Sequence, residues 1–394
     1  VGGALEKREI KELSILTAGH AAHHLYTAII PPLLPIFKSI FNLSYSEAGL
    51  LPTAFSAGLL AQLGVGLYSD KTGRRRSIVS LGLALTPLVI ASLTLAPNLL
   101  TLIIVAFSAG LAASTYHPPG TSLVTEYFAK KTGFALGIHA IGGSLGTSIG
   151  PIALGALTAI VGWHNALYLL ILPGWIVGAI YWRSLKDVGV SKADSPTSQV
   201  THDSEAVFRM KMVAPTMILL LTATIMALFA SESIIDFVPL YLTETYLVSV
   251  SFAALLLGVM RFFGVIGGPL GGLGVDRFGA KRMMSLSYFG QAVFIILLMQ
   301  VGVGPLMYLF LGLIGFFFAI QIPASNVYLA RLVPPSHRGR AVAIFFTVMV
   351  GWASLVPAIS GNLVDRFGFR FTFTVAALVC MLGAILMLFL KEKH

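Results

Sequence analysis

Apolar runs of about twenty residues, separated by short charged clusters, fill this 394-residue chain from end to end. Each run is long enough to cross the hydrocarbon of a bilayer as a helix. The pattern predicts twelve spans, at roughly 13–37, 46–68, 77–96, 99–127, 133–160, 164–183, 213–241, 250–274, 283–301, 305–331, 340–363 and 371–390. Between the sixth and seventh, residues 184–212 carry Lys186, Asp187, Lys192, Asp194, Asp203 and Glu205 among Ser, Thr and Pro, the composition of a solvated linker. The expected fold is an all-α membrane protein of two six-helix bundles, 1–183 and 213–394, joined by 184–212. No cleavable signal peptide is expected: the first run is too long, and Glu6, Lys7, Arg8, Glu9, Lys11 and Glu12 precede it.

The two bundles repeat one another. Asp70 and Asp276 are 206 residues apart, and the same step links Gly73 to Gly279, Gly133 to Gly339, Gly155 to Gly361 and Gly162 to Gly368. A constant offset over five positions marks two copies of one unit, an arrangement typical of transporters that bind substrate between repeats.

Charge fixes the expected orientation. Only 11% of residues are charged, against about 25% in soluble domains. Of the 26 Lys and Arg, all but Lys38, Arg261, Arg366 and Arg370 fall at the termini or in the even-numbered loops. By the positive-inside rule both termini are cytoplasmic. Topology therefore accounts for the net charge of +10, and a nucleic-acid partner is not expected. The lone Cys380 rules out a disulfide framework. The chain has no P-loop and no Gly-x-Ser-x-Gly elbow, so neither ATP nor an enzymatic nucleophile is expected, and no cofactor.

The loop Gly66-x-x-x-Asp70-Lys71-x-Gly73-Arg74-Arg75-Arg76 between spans two and three resembles motif A of the major facilitator superfamily. Gly272-Leu273-Gly274-Val275-Asp276-Arg277-Phe278-Gly279 resembles its second copy. The resemblance extends over all twelve spans and implies a monomeric secondary transporter. It also implies a cytoplasmic gate in which Asp70 faces a helix N-terminus and arginines grip an acid, with Glu126 as the candidate. Arg75 and Arg76 read equally as topology anchors. Gly137, Gly146, Gly150-Pro151 and Gly155 in span five resemble the family's antiporter motif, though Leu154 stands where a glycine pair is usual. That resemblance implies proton-driven export; the residues alone also fit a generic small-residue packing face. Many proton-coupled members carry an arginine in span four, where this chain has Ala106-Phe107-Ser108-Ala109-Gly110. Tyr116-His117-Pro118-Pro119-Gly120 and the glycine-rich span five are similar to the fosmidomycin-resistance branch of bacterial drug exporters, which implies the cytoplasmic membrane of a prokaryote. That branch has an Asn-Asp pair in span one, where His23-His24 stand here.

Polar residues inside spans mark the expected cavity, because a charge at bilayer depth costs about 3 kcal/mol. His20, His23 and His24 share one helical face of span one. Glu232 and Asp236 do the same on span seven, the equivalent element of the second half, so the two groups are expected to face each other. Arg261, Tyr116, His117, His139, Gln321 and Asn326 complete the candidate lining. His139 reads equally as packing beside glycines, and Glu232 with Arg261 as a structural ion pair. The expected function is export of a small organic compound in exchange for protons. An organic-anion permease using Arg261 stays open, as does a transition-metal exporter using His20, His23, His24 and Glu232.

Overall fold

The computed structural model describes residues 6–187, 204–333 and 338–390; His202, His337 and His394 lie outside them. The described residues are helical, with no strand among them. In chain order the helices are α1 (Lys7–Thr27), α2 (Ile30–Phe41), α3 (Tyr45–Leu59), α4 (Gln62–Thr72), α5 (Arg75–Ala91), α6 (Leu99–Ala113), α7 (His117–Tyr127), α8 (Thr132–Leu169), α9 (Ile171–Ser184), α10 (Ser204–Thr245), α11 (Val250–Phe278), α12 (Ala280–Leu298), α13 (Pro305–Leu332) and α14 (Arg338–Met387). Helix α10 begins inside the stretch read as linker.

Nine stretches among the described residues are long and apolar enough to cross a membrane. Two of them, Thr132–Ser184 and Ile344–Met387, are longer than one crossing requires. Each is interrupted by a glycine in the left-handed region, Gly162 (φ 77°) and Gly368 (φ 78°). Exposed side chains such as Leu67, Ile160, Trp175 and Phe389 cover the outside with hydrocarbon, as a lipid-facing surface requires.

Local chemistry sets the helix ends. Ser44 and Glu47 form a capping box at α3, with the Glu47 carboxylate accepting the Ser44 amide at 2.8 Å. Asn98 accepts the Thr101 amide at 3.0 Å and starts α6. Between α6 and α7 the chain cannot continue as one helix, because Pro118 and Pro119 lack N–H groups. Prolines suit a first turn, so the helix restarts at His117.

The chain forms two compact units, Val1–Ser191 with Pro239–Gly258, and Lys192–Val238 with Val259–His394. In the first, α8 lies along α1 through a glycine ladder. A methyl at Gly142, Gly146 or Gly150 would strike the carbonyls of Thr17, Ala21 and Leu25, four residues apart on α1. Gly155 meets Ser251 and Ala254, and Gly258 meets Ser148 and Ile152, which ties 239–258 to this unit. There Glu244 takes Lys38 at 3.1 Å and the Tyr45 hydroxyl. In the second unit, α12 packs on α13 and α14.

Candidate functional site

Six of the expected cavity residues converge in the first unit. His20, His23 and His24 rise from one face of α1. The helix break before Pro118 turns Tyr116 and His117 toward them, and α8 supplies His139. The His20 ring stacks on His139 at 4.2 Å between centroids, and His23 stacks on Tyr116 at 4.7 Å. His24 meets His20 edge-on at 4.7 Å, and His117 lies 5.1 Å from His24 and 5.4 Å from His20. The glycine ladder explains the closeness: Gly143 faces the His20 ring, where a side chain would collide with it.

Hydrogen bonds orient this cluster. His20 Nδ1 donates to the His139 carbonyl at 2.7 Å; a carbonyl only accepts, so the proton sits on Nδ1. Nε2 of His20 is buried and has no hydrogen-bond partner, and the same holds for His23 Nε2 and His139 Nδ1. The Tyr116 hydroxyl donates to the Leu16 carbonyl at 3.2 Å and ties the break between α6 and α7 to α1. His164 is exposed and lies against Trp163.

In the second unit Glu232 and Asp236 on α10 lie within electrostatic reach of Arg261 on α11. Asp236 is buried, and Arg261 Nε is buried without a hydrogen-bond partner. None of the three makes an ion pair within 4.0 Å among the described residues. Gln321 on α13 is buried with Oε1 unpartnered, whereas Asn326 is exposed. The sequence reading missed a buried polar chain beside them: Ser231 donates to Gln291 at 2.6 Å, Ser233 meets Ser360 at 2.7 Å, and Tyr288 donates to Thr224 at 3.2 Å. The signal was present, since Gln291 sits in the middle of an apolar run.

The expected cytoplasmic gate is assembled around Arg75. Its guanidinium donates to Asp70 at 3.0 Å and to Glu126, joining the ends of α4 and α7 to the start of α5. Arg75, not Arg74, occupies this place, because Gly73 (φ 67°) ends α4 and Arg74 caps α5 through its backbone. Arg76 turns elsewhere and donates to the Trp182 and Leu185 carbonyls at 3.2 Å, capping α9. Gly66 faces Pro118, leaving α4 room beside α7. In the second copy Asp276 and Arg277 are exposed, and Gly279 (φ 88°) starts α12. Of the span-five motif, Gly146, Gly150 and Gly155 make close approaches; Gly137 faces open space. Pro151 lies buried in α8.

Comparison with known proteins agrees with this architecture. The Major Facilitator Superfamily description matches residues 16–274 and 220–394. The chain is 26% identical over 394 residues to the MFS-type transporter YfnC of Bacillus subtilis (strain 168), covering 97% of this chain and 94% of that protein. It is 25% identical over 392 residues to the fosmidomycin resistance protein of Escherichia coli (strain K12), covering 97% and 93%. Its fold matches the inward-facing crystal structure of a bacterial homologue of the human lysosomal transporter Spinster, with a TM-score of 0.79 at 17% identity, over 98% of this chain and 97% of that one.

Proposed function

The chain belongs to the major facilitator superfamily, and from that premise we propose that it exports a small organic compound in exchange for protons. The observation that carries the reading is the α1–α8 seam: a glycine ladder brings two helices into backbone contact at the level where titratable imidazoles crowd together. Protonating an imidazole here would place a charge in the seam, so in this reading proton loading is coupled to the seam's movement. Glu232 and Asp236 supply the second proton-binding group, with Arg261 setting their charge balance. Likeness to the fosmidomycin resistance protein supports export of a drug-sized molecule.

In this reading the chain crosses the bacterial cytoplasmic membrane twelve times: seven of the nine apolar stretches cross once, the two elongated helices cross twice by bending at their glycine elbows, and α12 makes the twelfth crossing. Both termini are cytoplasmic, and one chain suffices. Arg75, held by Asp70 and Glu126, latches the cytoplasmic side. Arg261 favours a second reading, an organic-anion permease, since a buried guanidinium suits a carboxylate or phosphonate.

Proteoliposomes separate the two. With an acid interior, an antiporter accumulates substrate as protons leave; fosmidomycin and a panel of unrelated drugs are the first probes. Accumulation that collapses with a protonophore supports exchange. Flux indifferent to the gradient in both directions overturns proton coupling. Cells that gain substrate on expression point to the permease.

A further inference from the structure

We propose that His20, His24 and His117 form a binding site for a divalent transition-metal ion of the zinc, cobalt or nickel class. One ring nitrogen from each of the three lies within 4.8 Å of the others. Tetrahedral coordination at 2.0–2.1 Å requires a spacing of about 3.3 Å, a contraction that small side-chain rotations supply. The residue set differs from that expected from the sequence: His117, brought in by the break before Pro118, joins His20 and His24, and His23 is not part of the group.

The second observation is the state of His20. A ligating histidine characteristically donates its other ring N–H to a carbonyl, which fixes the tautomer and aims the bare nitrogen at the metal. His20 has this arrangement, with Nδ1–H on the His139 carbonyl at 2.7 Å. Its residue is 9% exposed, and Nε2 is buried without a partner. A buried acceptor left empty keeps its full desolvation penalty, so the site carries a built-in preference for a ligand there. The Gly143 gap and the His139 ring hold the imidazole in that plane. Imidazole is the donor that zinc, nickel and copper ions prefer over calcium or magnesium. Three protein ligands leave one position for water or for a donor atom of a bound molecule, which makes the site an open one.

The test uses the full-length, tag-free protein in detergent. Zn2+ is titrated by calorimetry, and Co2+ by its visible ligand-field bands. The expected result is saturation at one ion per chain with tetrahedral cobalt bands, unaffected by Mg2+. His20→Ala, His24→Ala and His117→Ala should each weaken binding about tenfold or more. His164→Ala, remote and exposed, should leave it unchanged. Should an alanine variant fail to fold, His117→Gln, at a helix start beside the break, reports in its place. Absence of saturable binding overturns the site, as does binding that survives all three substitutions or vanishes with His164→Ala. The measurement requires no transport, so its outcome is independent of the proposed export function.

Discussion

The two halves of this chain share a skeleton and differ in what they hang on it. Among the described residues four glycines have φ in the left-handed region, and they form two pairs 206 residues apart: Gly73 with Gly279, and Gly162 with Gly368. The acceptor at the end of the last helix repeats as well, though its donor moves one position along the chain. Arg76 reaches the Trp182 carbonyl, and Lys281 reaches the carbonyl of Leu388, which is 206 residues beyond Trp182. Backbone geometry is thus common property, while the chemistry is local. Counting 206 on from His20, His23, His24 and His139 gives Met226, Phe229, Ala230 and Phe345. The glycines of the seam diverge as well: Gly146 and Gly150 correspond to Trp352 and Val356, and Trp352 spans its wider gap by donating to the Ile225 carbonyl at 3.1 Å. The first half has a tight, imidazole-rich seam; the second has bulk there and places its carboxylates elsewhere. Repetition fixes the bends, and divergence puts the imidazoles in one half and the buried carboxylates in the other.

The sharpest way to break this contrast is to widen the tight seam. Gly150→Leu drives a side chain into the Leu25 carbonyl, and overpacking of this kind costs about 1–3 kcal/mol. Transport should fall below about a tenth of wild type at equal membrane abundance. Trp352→Phe, which removes one indole hydrogen bond, should keep most of it. Vesicle flux normalised to immunoblot decides, and equal losses would mean the two seams are equivalent.

Next comes the division of proton chemistry. Glu232→Gln should retain substrate binding but lose gradient-driven flux, whereas His24→Ala should shift the pH profile of flux. If Glu232→Gln transports with the wild-type pH profile, coupling rests in the first half alone.

A smaller effect separates the two copies of the gate motif. Arg75→Ala strands the part-buried Glu126 beside Asp70 and should cost about 1–3 kcal/mol. Lys281→Ala loses one exposed contact to a helix end, worth about 0.5 kcal/mol. Thermal melts of purified protein should rank them in that order.

How far the sequence reaches is visible at particular residues. The 206-residue step predicts the glycine pairs, because only glycine enters the left-handed region cheaply and so cannot drift. The clustering of His20, His23 and His24 follows from helical spacing. The arrival of His117 depends on where a proline break aims the restarted helix, nearly a hundred residues downstream, which spacing along α1 does not encode. Choosing Arg75 over its neighbour Arg74 also lay beyond composition, since both are arginines and only the turn at Gly73 decides which one points inward.

The smallest expected difference between the halves lies in the shared skeleton itself. No neighbour lies near Gly162 or Gly368, so an added methyl meets backbone strain alone. Gly162→Ala and Gly368→Ala should each cost about 1–2 kcal/mol. Equal melting shifts support a common elbow, and unequal ones break the equivalence.

Those elbows have a mechanical consequence. Each makes its bend at a single residue, with helix on both sides and no intervening loop to take up slack. A joint of that kind is a single pivot: the two arms turn relative to each other through the dihedrals of that glycine and its immediate neighbours. Any tilt between the imidazole-bearing arm of α8 and the far side of Gly162 is therefore confined to that one residue, and the second copy, cut to the same pattern at Gly368, has its pivot at the matching place.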